Sequence, residues 1–333
     1  MRRIPSPLCL AALLALGLTT APARAQQARS FVSAATGNDG NAPNCTRLAP
    51  CKTFQAAHDG TLANGEVTVL DPGSYGSLTI NRNVSIINDG VGEAGILVSG
   101  GGTGININAP GAAVTLRGLT IKGIGFGGGN GIAFTAGAAL NVENCTIRNL
   151  DGPGNGIDFA PSTASVLHVT NTIITDNAHN GILIEPTGAA NVAGVINGVA
   201  LYNNGFAGLN VLGQSSTGLI EIQAINSVAS NDGTASNGGA GFLVQSDNGK
   251  ATTVLSLFRS VANNNPSAGI EAFGFNALAV AGQSMIQANN AGWIAPSGGA
   301  ILSYGDNEII LNHSDQGDAP NTSGKLFVAF GPH

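Results

Sequence analysis

A glycine followed by a large apolar residue recurs along most of this chain: Gly104-Ile105, Gly131-Ile132, Gly156-Ile157, Gly181-Ile182, Gly208-Leu209, Gly241-Phe242, Gly269-Ile270 and Gly292-Trp293. The intervals between these glycines are 27, 25, 25, 27, 33, 28 and 23 residues. A repeat of that length marks a solenoid, in which each unit can bury its apolar face only against its neighbours. The residues between the glycines alternate apolar and polar, the period of a strand rather than a helix. From Asn130 to Asn155, Ile132 and Phe134 are expected to point inward, then Leu140 and Val142 after a turn at Gly137, then Ile147 after a corner at Asn144. The next unit repeats this with Ile157, Phe159, Leu167, Val169, Asn171 and Ile174.

Stacking such units puts like on like. Each strand pairs with its equivalent one coil away at about 4.8 Å, so eight to ten coils give a rod of roughly 40 to 45 Å. Asn recurs where corners are expected, at Asn144, Asn171, Asn197 and Asn226, and again at Asn149, Asn177, Asn204, Asn231, Asn264 and Asn290. Asn tolerates the left-handed conformation of a sharp corner, and stacked amides can bond up and down a ladder. Neither calcium-binding nonapeptides nor hexapeptide repeats are present. The long interval contains a polar loop from Asn231 to Gly239, read either as a groove wall or as surface decoration.

Upstream, Thr53-Phe54-Gln55-Ala56-Ala57-His58 starts like a short helix with Thr53 as N-cap, and Asn64-Gly65 is expected to stop it. Glu66 to Leu70 reads as a strand, followed by a turn at Asp71-Pro72-Gly73 before Tyr75. The order Thr-Phe-Gln-Ala-Ala, Gly65-Glu66, strand, Pro72-Gly73-Ser74-Tyr75 resembles the N-terminal cap and first turn of pectin-lyase-like right-handed parallel β-helices. With the glycine repeats behind it, the resemblance covers about residues 50 to 310. It implies an all-β fold, a single-stranded right-handed solenoid of about 25 residues per coil with a short N-terminal capping helix.

Residues 1–25 carry Arg2 and Arg3, an apolar run from Leu8 to Leu18, and Ala23-Arg24-Ala25, the pattern of a secretory signal peptide. The expected organisation is signal 1–25, N-terminal cap 26–63, β-helix 64–312 and C-terminal cap or tail 313–333, with Lys325 to Phe330 as a covering strand. The product is expected to be secreted or periplasmic, with no transmembrane segment once the signal is removed. Cys45 and Cys51 flank a Pro-containing loop and are expected to pair in an exported chain; the alternative is two free thiols. Cys145 reads as a small buried side chain. Of 13 basic residues three lie in the signal, leaving 10 against 19 acidic, so nucleic acid is not an expected partner.

Enzymes that resemble this chain act on acidic polysaccharides. Pectate lyases of this fold hold calcium with clustered Asp and Glu and use Arg or Lys as base; polygalacturonases use three Asp with Gly-His-Gly and Arg-Ile-Lys motifs. Neither motif is present, so no metal site or cofactor is assigned and calcium has no motif to hold it. The corners align Arg117 with Glu143, and Lys122 with Arg148, and bring Asp151, Asp158, Asp176, His179 and Glu185 into the following coils. Lys122, Arg148 and Asp158 are the catalytic candidates of a divergent lyase, hydrolase or epimerase. Arg117, Asp151, Asp176, His179 and Glu185 are candidates for contacting sugar, and the competing interpretation is a solvated face with a weak Arg117–Glu143 pair. His168 is expected to face outward without a partner ligand. Trp293 and Tyr202 could stack on sugars, although Trp293 occupies an inward position. The leading expectation is an exported protein that contacts an extended polysaccharide or cell-surface glycan along one face. A structural or adhesin-like surface protein is the further alternative.

Overall fold

A computed structural model describes residues 26–124, 128–152, 154–234 and 239–314. The expected segments 1–25 and Lys325 to Phe330 lie outside these residues. Strands of successive coils pair in parallel throughout and form three sheets. Among the described residues, sheet I has nine strands and takes in the glycine repeat, sheet II has eleven, and sheet III has ten, most of them three residues long. Each coil passes from sheet I to II to III.

Register is kept from coil to coil. In sheet I one column runs Leu78, Ile105, Ile132, Ile157, Ile182, Leu209, Phe242, Ile270, Trp293. Its eight steps cover 215 residues, so the coil averages about 27 residues rather than 25. These side chains are buried, Trp293 included, and Phe134 stacks on Phe159 with ring centres 4.5 Å apart. The repeat glycines answer to close approach: a Cβ on Gly156 would lie 2.4 Å from Ile174 Cγ2 and 2.5 Å from the Gly181 carbonyl.

The N-terminal end is closed by a strand, Gln27–Val32, which joins sheet II beside Thr61–Val69. The helix Phe54–Gly60 (α1) is capped by Thr53, whose hydroxyl accepts from the Ala56 N–H at 3.2 Å. Phe54 packs on Tyr75 at 4.9 Å, and the Tyr75 hydroxyl donates to the Asp71 carboxylate. The helix ends at Gly60, not at Asn64-Gly65. A side chain at Gly60 would strike the Pro43 carbonyl at 2.3 Å, while Asn64 is a left-handed residue inside the following strand. Cys45 and Cys51 form a disulfide, and Cys145 is buried, its thiol pushed up to about 11 by desolvation.

Two corners recur from coil to coil over most of the stack, and each uses two adjacent positions for different tasks. The first position takes positive φ: Asn144, Asn171, Gly198 and Asn226 between sheets II and III, and Asn149, Asp176, Asn203, Asn231 and Asn264 between III and I. The second is buried, and where it is polar its side chain caps the preceding coil's backbone. Asn197, Asn177, Asn204 and Asn290 are therefore not the left-handed corners that the Asn pattern suggests; neighbours one or two residues away take that conformation. The reason is that Asn suits both positions, so composition does not separate them.

Between III and I the buried position makes a directional ladder. Asn177 Nδ2 donates to Asn204 Oδ1 at 2.9 Å, Asn204 Nδ2 to Asp232 Oδ1 at 2.8 Å, Asn265 Nδ2 to Asn289 Oδ1 at 2.8 Å, and Asn289 Nδ2 to Asn312 Oδ1 at 3.0 Å. Asp232 interrupts it. Its backbone N–H donates to Asn265 Oδ1, but Asp232 Oδ2, in the place of an amide nitrogen, is buried without a partner. Only a protonated carboxyl can donate onward there.

Burial accordingly raises the Asp232 pKa from 3.8 to about 7. The folded state thus binds the proton more tightly than the unfolded chain, so this contribution is complete below about pH 4 and is lost as pH rises through 7. Asp232→Asn restores the missing donor. It is expected to raise unfolding free energy at pH 8 by on the order of 3 kcal/mol relative to the parent and to leave it little changed at pH 4. Denaturant titrations at the two pH values measure the difference, and equal effects at both would exclude the proton as the missing link.

Candidate functional site

Coil geometry separates the sequence candidates onto three surfaces. Lys122 and Arg148 are register neighbours on sheet III, with Lys122 Nζ 3.6 Å from Glu93. Arg117 lies at the end of a sheet II strand, where its guanidinium forks onto Asp89 at 2.9 and 3.2 Å and reaches Glu143 at 3.7 Å. Asp151 is exposed in the loop leaving sheet III. Asp176 occupies the III–I corner and accepts from Asn203 at 3.1 Å. Asp158 lies on sheet I, so the proposed trio of Lys122, Arg148 and Asp158 does not share a sheet. Tyr202 follows Arg148 and Thr175 along sheet III, and His168 is exposed on sheet II against Asn141.

What the fold does bring together is Asp158, Glu185 and His179. Asp158 is the residue after the glycine-apolar pair, and because Ile157 and Phe159 point inward its side chain points out of sheet I. Asn130, one coil earlier, donates from Nδ2 to Asp158 Oδ2 at 2.6 Å. Glu185, one coil later, shares a hydrogen bond between carboxyls with Asp158. His179 Nδ1 lies 3.1 Å from Asn155 Oδ1, and the Asn155 N–H donates to Asn130 Oδ1 at 2.8 Å, linking the histidine to the same network. The His179 ring stacks on Phe206 at 5.2 Å, and burial lowers its pKa, keeping it neutral.

Electrostatics assigns the shared proton. Burial raises the Asp158 pKa, opposed by the hydrogen bonds from Asn130 and Glu185. Burial raises Glu185 as well, and there the Asp158 charge and hydrogen bond add to the rise. Glu185 therefore holds the proton and donates it to Asp158. The Asp158 carboxyl is thus engaged from both sides, by Asn130 one coil earlier and by Glu185 one coil later.

The same outward row continues through Leu183, Asn210, Leu243 and Glu271. Asn210 is 3% exposed with Oδ1 unpartnered. Glu271, 7% exposed, has Leu243 and Ile294 as its register neighbours, and desolvation lifts its pKa to about 7. Sequence reasoning missed Asn130, Asn210 and Glu271. The available signal was positional: Asp158, Asn210 and Glu271 each follow the repeat's glycine-apolar pair.

The family described as right handed beta helix region matches residues 66–229. Among solved structures the chain is similar to the crystal structure of pectate lyase Pel9A, at 16% identity over 90% of this chain and 82% of that one, with a TM-score of 0.51. No curated protein matches the sequence. The chain is a right-handed parallel β-helix protein with a pectin-lyase-like fold. In this β-helix, among the described residues, the strands of sheet I carry Asp158 and Glu271 and no Lys or Arg. No group of three or more His, Cys, Asp or Glu among the described residues is arranged to hold a metal ion, and no helix among them is long and apolar enough to cross a membrane.

The Asp158–Glu185 pair gives a direct test of the network. Asp158→Asn removes the neighbouring charge, so the Glu185 titration is expected to move down toward the ordinary carboxylate range while Glu271 still titrates at about 7. Carboxyl carbon shifts followed from pH 3 to 9 report both groups. An unmoved Glu185 would show that Asp158 does not set its proton affinity.

Proposed function

We propose that this β-helix is a carbohydrate-binding protein that contacts an extended glycan along the outer face of sheet I. The observation that carries the proposal is the pair of outward rows on stacked strands of sheet I, Asp158, Asn210 and Glu271 in one and the half-buried Leu212, Gln245 and Phe273 in the other. Stacked coils repeat their surface chemistry at the strand spacing, which suits a polymer. The fold's likeness to a pectate lyase supports a carbohydrate ligand by analogy alone. We place the protein outside the cytoplasm, a placement supported by the Cys45–Cys51 disulfide.

Catalysis is the second reading, favoured by Glu271, whose pKa desolvation lifts to about 7, and by Glu185, raised by burial and by the Asp158 charge, since a general acid must hold its proton. Against it stands the direct hydrogen bond between Asp158 and Glu185. Retaining glycosidases separate their carboxyls by about 5 Å, and inverting ones by more, to leave room for the reacting sugar. A hydrogen-bonded pair is too close for either arrangement, so binding ranks first.

Asp158→Ala and Gln245→Ala are each expected to weaken glycan binding about tenfold, the loss of one well-placed hydrogen bond. The double change Lys122→Ala, Arg148→Ala on sheet III should leave it unchanged. Calorimetry on a polymer that the parent protein binds measures all three, with reducing-end release followed in parallel. Loss confined to the sheet III variant would move the site to that face, and release by the parent protein would establish the enzyme.

A further inference from the structure

The corner between sheets II and III changes character toward the C-terminal end of the stack. Its left-handed residue is Gly118, Asn144, Asn171, Gly198 and Asn226 in turn, then Arg259 and Gln283, before Gly305 ends the row. Gly and Asn take that conformation readily, whereas a long side chain meets a steric penalty in it. Residues held in such strained conformations cluster at ligand sites. Arg259 and Gln283 therefore call for a reason other than turning the chain.

Both side chains line a surface cleft of about 360 Å³, together with Ser284, Met285, Asp306 and Glu308. Three successive coils contribute to it: Arg259 from one, Gln283 to Met285 from the next, Asp306 and Glu308 from the last. Arg259 is exposed, with its guanidinium 4.8 Å from the centre of the Phe258 ring. Phe258 and Tyr304, also exposed, approach each other over Gly282, where a Cβ would lie 2.8 Å from Tyr304 Cδ2 and 3.5 Å from Phe258 Cδ2. Stacking on Phe258 orients Arg259 without neutralising it. None of Arg259, Asp306 and Glu308 forms an ion pair among the described residues. Asp306 Oδ1 accepts from the Gln283 N–H at 3.0 Å, which fixes that carboxylate on the wall across from Arg259. Two strand spacings, roughly 10 Å, separate the backbone of the cation from that of the two acids.

We propose that this cleft binds a small zwitterion of the amino-acid type, its carboxylate on Arg259 and its ammonium group between Asp306 and Glu308. The site lies away from sheet I and does not depend on the carbohydrate-binding reading. A planar guanidinium offers paired N–H donors that match the two oxygens of a carboxylate. An ammonium group brings three donors and a positive charge to the two acids. A ligand that is only anionic satisfies Arg259 but meets Asp306 and Glu308, and one that is only cationic meets Arg259; like-charge juxtaposition disfavours each. A zwitterion satisfies both walls at once. Its aliphatic stem can lie against the half-buried Met285, and the Gln283 amide, between the walls, can donate or accept.

The test is a nuclear magnetic resonance titration of the full chain at pH 7, following the Arg259 Nε–H and the Gln283 side-chain amide. The probes are glycine, γ-aminobutyrate and ε-aminocaproate, which differ in charge separation, each set against the acid lacking the amine and the amine lacking the acid. At least one zwitterion is expected to bind about tenfold more tightly than either of its single-charge analogues. If no zwitterion exceeds its analogues, or none moves the two signals, the inference is overturned. Arg259→Asn installs the corner residue of the earlier coils, so the variant is expected to be at least as stable to denaturant as the parent while losing the preference for the zwitterion. The double change Asp306→Asn, Glu308→Gln keeps the acceptor for the Gln283 N–H and is expected to reduce zwitterion binding to the level of the plain acid. A preference retained in either variant would place the ligand elsewhere and overturn the assignment.

Discussion

Parallel pairing of every strand with its counterpart one coil away is the constraint on which the rest depends. It satisfies the backbone within strands but leaves corner N–H groups buried and in need of acceptors. The chain meets that need with side chains from the next coil: Ser and Thr hydroxyls between sheets II and III, as from Ser227 to the Val199 N–H and Ser260 to the Ser227 N–H, and Asn oxygens between III and I. Apolar columns inside the coil then follow from register, since a one-residue slip would turn every inward side chain to the outside.

Most of this architecture was legible in the residues. Alternation placed Ile132, Phe134, Leu140, Val142 and Ile147 inside, and the fold buries all five. The corners were legible as a class but not residue by residue, because Asn serves both as the left-handed corner, as at Asn203, and as the buried cap beside it, as at Asn204. The site was legible only in fragments. Asp158, His179 and Glu185 stand out by type, yet which sheet each faces depends on where the corners fall. Lys122 and Arg148 therefore looked like partners of Asp158 until the coil placed them on another sheet. Asn210 and Glu271 carry no local signal beyond following a glycine-apolar pair.

The same physics, a carboxyl withdrawn from water, gives different outcomes at three places. Asp232 is sealed in a ladder of amides, where its proton completes a structural chain. Glu185 shares its proton with Asp158 at a half-buried surface. Glu271 lies between Leu243 and Ile294 in the outward row of sheet I, with desolvation alone raising its pKa. Of the three only Glu185 stands at a half-buried surface that a ligand could approach, so a perturbed carboxyl marks function here through its address rather than its affinity for protons.

The corners also set a ruler. From the left-handed residue entering sheet III to the one leaving it the distance is five residues in six successive coils: Asn144 to Asn149, Asn171 to Asp176, Gly198 to Asn203, Asn226 to Asn231, Arg259 to Asn264 and Gln283 to Ala288. Coil length nevertheless varies from 23 to 33 residues. All of that variation falls in the stretches before and after sheet III, which include both borders of sheet I. Insertions and deletions can thus reshape the rims of the sheet I face while the stack keeps its pitch, so ligand choice is free to diverge on a scaffold whose metre is fixed elsewhere.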